Sequence, residues 1–214
     1  MCSHYESPTS ERILAGYGVA PADQFKIDLF PCYEGPFIRL RDAESVDEGE
    51  SELEALVGQF GLLPHWAKDR TLGRSTYNAR TETVATKNSF RSAWRKAQHC
   101  VIPAAAIYEP DWRTGKAVPT RISRVDGGVM SIAGLWEHWR TPEGNDLFSY
   151  TMLTLNAADH ELMRNFHKPG QEKRSVLILP NGLIHDWLRA TPEQSMDFVR
   201  HYPADRLQAE APSS

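Results

Sequence analysis

The sequence predicts an α+β fold: a single domain with a curved, largely antiparallel sheet and a few peripheral helices. Three observations carry this reading. The chain has 214 residues, 41% hydrophobic and 24% charged, which suits a globular domain with a sizeable core. Segments rich in β-branched and aromatic residues, many of them alternating, dominate its centre. Turn sequences between them, Gly127-Gly128 and Pro142-Glu143-Gly144, favour antiparallel connections.

Taken in order, residues 37–41 form the first expected strand. The stretch 42–54 follows, with seven acidic residues and no basic one, and reads as a solvated loop or a short helix. Residues 89–97 are expected as a helix. Phe90, Ala93, Trp94 and Ala97 share one face at i, i+3, i+4 and i+7, with Arg91 and Arg95 opposite. Strands are expected at 99–103, 118–123, 129–133, 149–155 and 175–179. A helix is expected at 157–166. Thr191 before Pro192-Glu193 is a good start for another at 192–200. The last residues, 208–214, read as a loose tail, so the domain is placed at 1–207.

Composition narrows the setting. There is no apolar run long enough to span a membrane and no basic-then-apolar segment at the N-terminus. The three cysteines, Cys2, Cys32 and Cys100, are too few and too scattered for a disulfide framework, so a reducing cytoplasm is the expected compartment. The net charge of −4 does not itself suggest nucleic acid. The tract 68–96, however, carries eight basic residues against Asp69 and Glu82. It reads either as a phosphate-binding surface or as a solvated face.

Several residues invite chemistry. Removal of Met1 would leave Cys2 with an α-amine and a thiol on adjacent carbons. Such a 1,2-aminothiol condenses with an aldehyde and closes to a thiazolidine. The adjacent ammonium is expected to favour the thiolate. Trp66, after Pro64-His65, reads as core or as an exposed stacking platform. In Tyr77-Asn78-Ala79-Arg80-Thr81-Glu82-Thr83, Asn78 offers hydrogen bonds to a reacting centre and Arg80 a fork for phosphate; the same tract also fits a helix start. Glu109 follows an apolar run, where desolvation would raise its pKa, or else is a surface residue at a strand end. His167, in Phe166-His167-Lys168-Pro169, is a candidate proton shuttle. No C-x-x-C or H-x-x-x-H spacing supports a metal, and no cofactor is expected.

Together these stretches resemble the SRAP family, the SOS-response-associated peptidase domain proteins that process abasic sites. The resemblance rests on Met1-Cys2, Gly61-Leu62-Leu63-Pro64-His65-Trp66, Asn78-Ala79-Arg80-Thr81-Glu82-Thr83, Cys100-Val101-Ile102-Pro103 through Tyr108-Glu109, Ala133-Gly134-Leu135-Trp136-Glu137, and His167 ahead of the last strand. It implies a β-barrel-like core and a positively charged groove for single-stranded DNA. It implies that Cys2 attacks the aldehyde of an abasic site and forms a covalent thiazolidine crosslink that shields the lesion. Asn78, Glu109 and His167 would complete the catalytic set. His4, Trp66, Arg80 and Arg91 would contact DNA. No membrane partner is expected, and a monomer is. The chain departs from the family's pattern at Ser3-His4, where glycine and arginine are usual. It departs again at Pro110, where tryptophan is usual, and after His167, so that His160 is the alternative histidine. Two rival readings stand beside this one. One is a cysteine peptidase or other hydrolase acting through the same N-terminal residue, although only Met1 precedes it; the other is a non-catalytic reader of single-stranded nucleic acid. A lyase activity is a further possibility within the family.

Overall fold

The computed structural model describes residues 2–42, 51–141 and 143–211. The chain begins with β1 (Tyr5–Glu6), α1 (Ser10–Tyr17), β2 (Asp28–Leu29), β3 (Glu34–Leu40) and β4 (Leu53–Phe60). Next come α2 (Gly73–Thr76), β5 (Asn78–Arg80), α3 (Arg91–Arg95), β6 (His99–Ala104), β7 (Ala106–Asp111) and β8 (Val118–Arg124). The remainder is β9 (Met130–Arg140), β10 (Asp146–Asn156), β11 (Arg174–Val176), β12 (Ile178–Leu179), α4 (Ile184–Arg189) and β13 (Leu207–Glu210).

Five strands close a barrel in the order β3, β4, β10, β9, β6 and back to β3. Four of its pairings are antiparallel; β4 and β10 meet in parallel through Gln59↔Ser149 and Phe60↔Tyr150. Closure removes the exposed edges that an open sheet would leave. A second, wholly antiparallel sheet runs β13-β8-β7-β1-β2. Alternation along the strands divides the interior. One core joins Phe37, Ile102, Ile132, Tyr150 and Met152 of the barrel to Cys2, Tyr5, Ile107 and Ile122 near the second sheet. The other joins Ile38, Val101, Leu135 and Leu153 to the helices through Ile13, Trp94 and Trp187. Among the described residues no helix is long and apolar enough to cross a membrane.

The expected strands are present, with shifted ends. The segment 175–179 divides into β11 and β12, because Leu177 sends its N–H to Leu153 and its carbonyl accepts from Ala133. Helices were over-read. Residues 157–166 keep only the 3₁₀ turn Met163–Asn165. Asn156 and His160 use side-chain acceptors on the N–H groups of Ala158, Leu162 and Met163, which competes with helix formation. Residues 192–200 hold a 3₁₀ stretch, Gln194–Phe198. The helix at 89–97 shortens to α3, ended by Ala97 at φ +51°. The segment expected as a loose tail opens as a strand: β13 pairs with β8 through Leu207↔Arg124 to Glu210↔Arg121. Most of the acidic stretch, 43–50, and Pro142 of the expected turn lie outside the described residues, while Leu53 and Glu54 already belong to β4. Helix α1 was not expected, though Gly18 at φ +73° closes it with an N–H to the Leu14 carbonyl.

A candidate active site around Cys2

The start of the chain is built into the fold. Strand β1 lies between β2 and β7, with Tyr5 opposite both Leu29 and Ile107. Tyr5 is fully buried, its hydroxyl 2.5 Å from that of Tyr150 and its ring edge-on to Phe60. The N–H of Tyr108 donates to the His4 carbonyl at 3.0 Å. These bonds fix the residues that follow Cys2 and leave Cys2 itself 1% exposed.

Strand β5 brings the second residue. It adds to β10 in parallel, Asn78 opposite Met152. Its approach is set by Gly61 at φ +123°, where a Cβ would lie 2.3–2.7 Å from the backbone of Gly73. That close crossing carries the chain through α2 into Tyr77-Asn78. The Asn78 Nδ2 donates to the Cys2 carbonyl at 3.0 Å and to the Tyr77 carbonyl at 2.7 Å. Its Oδ1 is buried and accepts no hydrogen bond from the described residues.

Glu109 and His167 come from different elements. Glu109 lies on β7 and is 2% exposed; His167 is also buried and follows Phe166, which bridges to Asp111. His167 sits at φ +64°, a left-handed conformation uncommon outside glycine. Its N–H donates to the Pro110 carbonyl, and Lys173 Nζ donates to its carbonyl at 2.8 Å. The ring faces Glu109, Nδ1 to Oε2 3.3 Å, while Nε2 lies 3.1 Å from the carbonyl of Arg174.

That pairing determines where the protons sit. A carbonyl only accepts, so Nε2 carries hydrogen and a neutral ring presents Nδ1 as an acceptor. Burial raises the Glu109 carboxyl to about 7, partly offset by the charge of the chain terminus. Burial also lowers His167 to about 4, with the terminal charge acting the same way. Near neutrality the pair is therefore a carboxyl divided between its acid and carboxylate forms beside a neutral imidazole, at 3.3 Å contact. Cys2 differs from its expectation. Burial, reinforced by Glu109, pushes the thiol well up, and this outweighs the lowering by the terminal ammonium. The resting group is a thiol whose Sγ–H donates to the His4 carbonyl at 3.3 Å.

The other expected residues are spread around this centre. Arg80 is half exposed beside Asn78, its Nη1 2.9 Å from Glu172. His4 is stacked between Phe30 (4.2 Å, 14°) and Tyr108 (4.1 Å, 9°), and its Nε2 faces Asp28 at 3.1 Å. Trp66 is 46% exposed. Arg91 opens α3, whose buried Trp94 packs into the helix-side core, away from the core that holds Cys2. His160 spends Nδ1 on the N–H groups of Leu162 and Met163 and Nε2 on the Tyr202 carbonyl. It is thus committed to backbone, and His167 is the imidazole that meets Glu109. Sequence reasoning missed Lys173 and Arg174, which hold His167. Their only trace was a basic pair directly before an apolar strand.

Fold and site together define a barrel protein whose candidate active site is assembled on the start of its own chain. The chain belongs to the SOS response associated peptidase (SRAP) family, which it matches over residues 1–213. This is a family of abasic site processing proteins. One member, abasic site processing protein YoqW of Bacillus subtilis, is 35% identical over 206 residues, covering 90% of this chain and 86% of YoqW. Abasic site processing protein HMCES of Gallus gallus is 26% identical over 202 residues, covering 83% of this chain and 58% of HMCES. A crystal structure of a Bordetella bronchiseptica protein superposes with a TM-score of 0.89 at 45% identity and full coverage of both chains.

Proposed function

We propose that this protein captures abasic sites in single-stranded DNA as a thiazolidine on Cys2, acting as a cytoplasmic monomer. The observation that carries the reading is the convergence of Cys2, Asn78 and the Glu109–His167 pair from four separate segments of the chain. Names given to relatives such as YoqW and HMCES point to the same lesion.

In this mechanism Met1 is removed and the α-amine of Cys2 becomes the first nucleophile. The abasic deoxyribose opens from its hemiacetal when a proton reaches the ring oxygen and another leaves the anomeric hydroxyl. Glu109, its carboxyl raised to about 7 and so half protonated near neutrality, donates the first in its acid form; the Glu109–His167 pair takes up the second. The amine adds to the aldehyde carbon and water departs, leaving an imine. The Cys2 sulfur then adds to the imine carbon while its proton moves to the imine nitrogen. The balance is aldehyde plus aminothiol to thiazolidine plus water. Closure is fast because sulfur and nitrogen sit on adjacent carbons. The thiol stays neutral until the imine forms, so its deprotonation belongs to the ring-closing step, in which the Glu109–His167 pair relays the proton from sulfur to the imine nitrogen.

Asn78 holds the Cys2 carbonyl and keeps Oδ1 available for the terminal amine or a sugar hydroxyl. Arg80 grips a flanking phosphate, exchanging Glu172 for it, and Trp66 stacks on a base. The test is intact-mass measurement after mixing the protein with uracil-containing single-stranded DNA treated with a uracil glycosylase. The expected mass lacks Met1 and gains the DNA less one water. An unshifted protein mass would reject the reading.

A further inference from the structure

The carbonyl that accepts from His167 Nε2 belongs to Arg174, and the capture chemistry itself asks for no buried arginine there. Yet the Arg174 side chain is 3% exposed and fully engaged at its terminal nitrogens. Nη1 donates to Glu82 Oε1 and Glu172 Oε1, both at 2.8 Å. Nη2 donates to Glu82 Oε2 at 3.0 Å, the Thr154 carbonyl at 2.7 Å and Thr154 Oγ1 at 3.1 Å. Glu82 thereby gains a role that its place in the 78–83 tract did not disclose.

Strand β11 has three residues, and Arg174 is its first, opposite Asn156. So short a ladder frays at its end, and the side-chain anchor holds the first carbonyl in place. Lys173 Nζ bridges the carbonyls of Phe166 and His167 at 2.7 and 2.8 Å and steadies the left-handed backbone. The imidazole is thus held at its N–H, its carbonyl and its ring.

We propose that Arg174, anchored by Glu82, is a positioning residue that sets the tautomer of His167. Its carbonyl keeps hydrogen on Nε2 and leaves Nδ1 as the acceptor toward Glu109. In the other tautomer Nε2 would turn a lone pair to that carbonyl. Nδ1–H would then point at Glu109 and favour the ionised carboxylate, so the acid needed for ring opening would be lost. The kinetic consequence rests on the capture reading; the tautomer does not.

The experiment uses the full chain labelled with ¹⁵N-histidine, with His167 assigned by its loss in His167→Gln. Long-range ¹H–¹⁵N spectra read the tautomer without DNA. The parent protein is expected to show Nε2–H. Arg174→Met removes the anchor, and Glu82→Gln weakens it at a half-exposed position that keeps the fold if Arg174→Met does not. Both are expected to populate the second tautomer, to change the pH profile of adduct formation, and to slow single-turnover reaction by up to about 100-fold. Arg174→Lys is expected to restore part of each. Folded Glu82→Gln protein that keeps His167 wholly as Nε2–H, with the parent pH profile, overturns the proposal. A tautomer shift in a protein whose parent makes no adduct sustains the positioning role and rejects capture instead.

Discussion

The molecule buries two histidines that titrate alike and are built for different purposes. Burial lowers both His99 and His167 to about 4. His99 lies in the helix-side core, its ring 4.1 Å from that of Trp187 and edge-on to Trp94, with Nε2 2.9 Å from the Ser195 hydroxyl. Its backbone is ordinary strand β6. His167 has a left-handed backbone, a carboxyl as ring partner, and that carboxyl is close enough to Cys2 to raise its thiol. A depressed pKa therefore does not distinguish them. What does is the partner: a hydroxyl that already donates to the Thr191 carbonyl, against a buried carboxyl at contact distance.

The strongest test of that contrast removes the nucleophile. Cys2→Ala is expected to abolish the heat-stable adduct, whereas His99→Ala protein that folds should reach parent yield; gel assay after heating measures both. A stable adduct on Cys2→Ala would place the chemistry elsewhere.

Next in size are the acid–base variants. Glu109→Gln and His167→Ala are each expected to slow single-turnover crosslinking by about 10²–10⁴-fold. His99→Ala should leave the rate unchanged but cost on the order of 3 kcal/mol of stability, the scale for truncating a large buried ring. His160→Ala should resemble His99→Ala. Equal rate losses at His99 and His167 would dissolve the distinction.

Stability against pH separates acid from imidazole. Below about pH 4.5 Glu109 is protonated whether the chain is folded or not. Between 4.5 and about 7 the unfolded chain releases that proton and the folded one keeps it, so the folded state loses ground as pH rises. Glu109→Gln should therefore gain stability over the parent by up to about 3 kcal/mol between pH 4.5 and 8. The histidines act with the opposite sign. As pH falls from 6.5 toward 4 the unfolded chain takes up protons that buried His99 and His167 refuse, and stability drops. Denaturant melts across pH 4–8 check both; a pH-independent gain for Glu109→Gln would contradict the carboxyl's assignment.

The smallest effect concerns phosphate. Arg80→Ala should weaken binding to single-stranded DNA and lower the slope of log K against log salt by roughly one unit. Salt titrations monitored by fluorescence anisotropy give the slope, and an unchanged value would reduce Arg80 to the partner of Glu172.

Much of this architecture was legible in the residues. Alternation marked strands such as β6 and β10, because one-sided burial imposes a period of two. Strand β4 was obscured by the acidic run ahead of it, and β7 by alanines that lack strand preference. Helices at 157–166 and 192–200 were over-read because periodicity does not reveal that Asn156 and His160 have claimed the backbone donors. Cys2, Asn78, Glu109 and His167, which the fold brings together, were singled out by residue type and motif. That His4 would be enclosed between two rings, or that burial would keep Cys2 a thiol, depends on contacts between residues far apart in the chain. So does the anchoring of Arg174 by Glu82.

The insertion of β1 between β2 and β7 also means that its partners are made at very different times during synthesis. Residues 5–6 cannot complete their pairing until residues 106–111 exist, and Tyr5 has no hydroxyl partner until Tyr150 is made. At roughly 5–20 residues per second that interval lasts on the order of 8–30 s. Once the barrel closes, Cys2 is sealed at 1% exposure. Strand β1 is thus among the last described elements to gain all its partners as the chain is made.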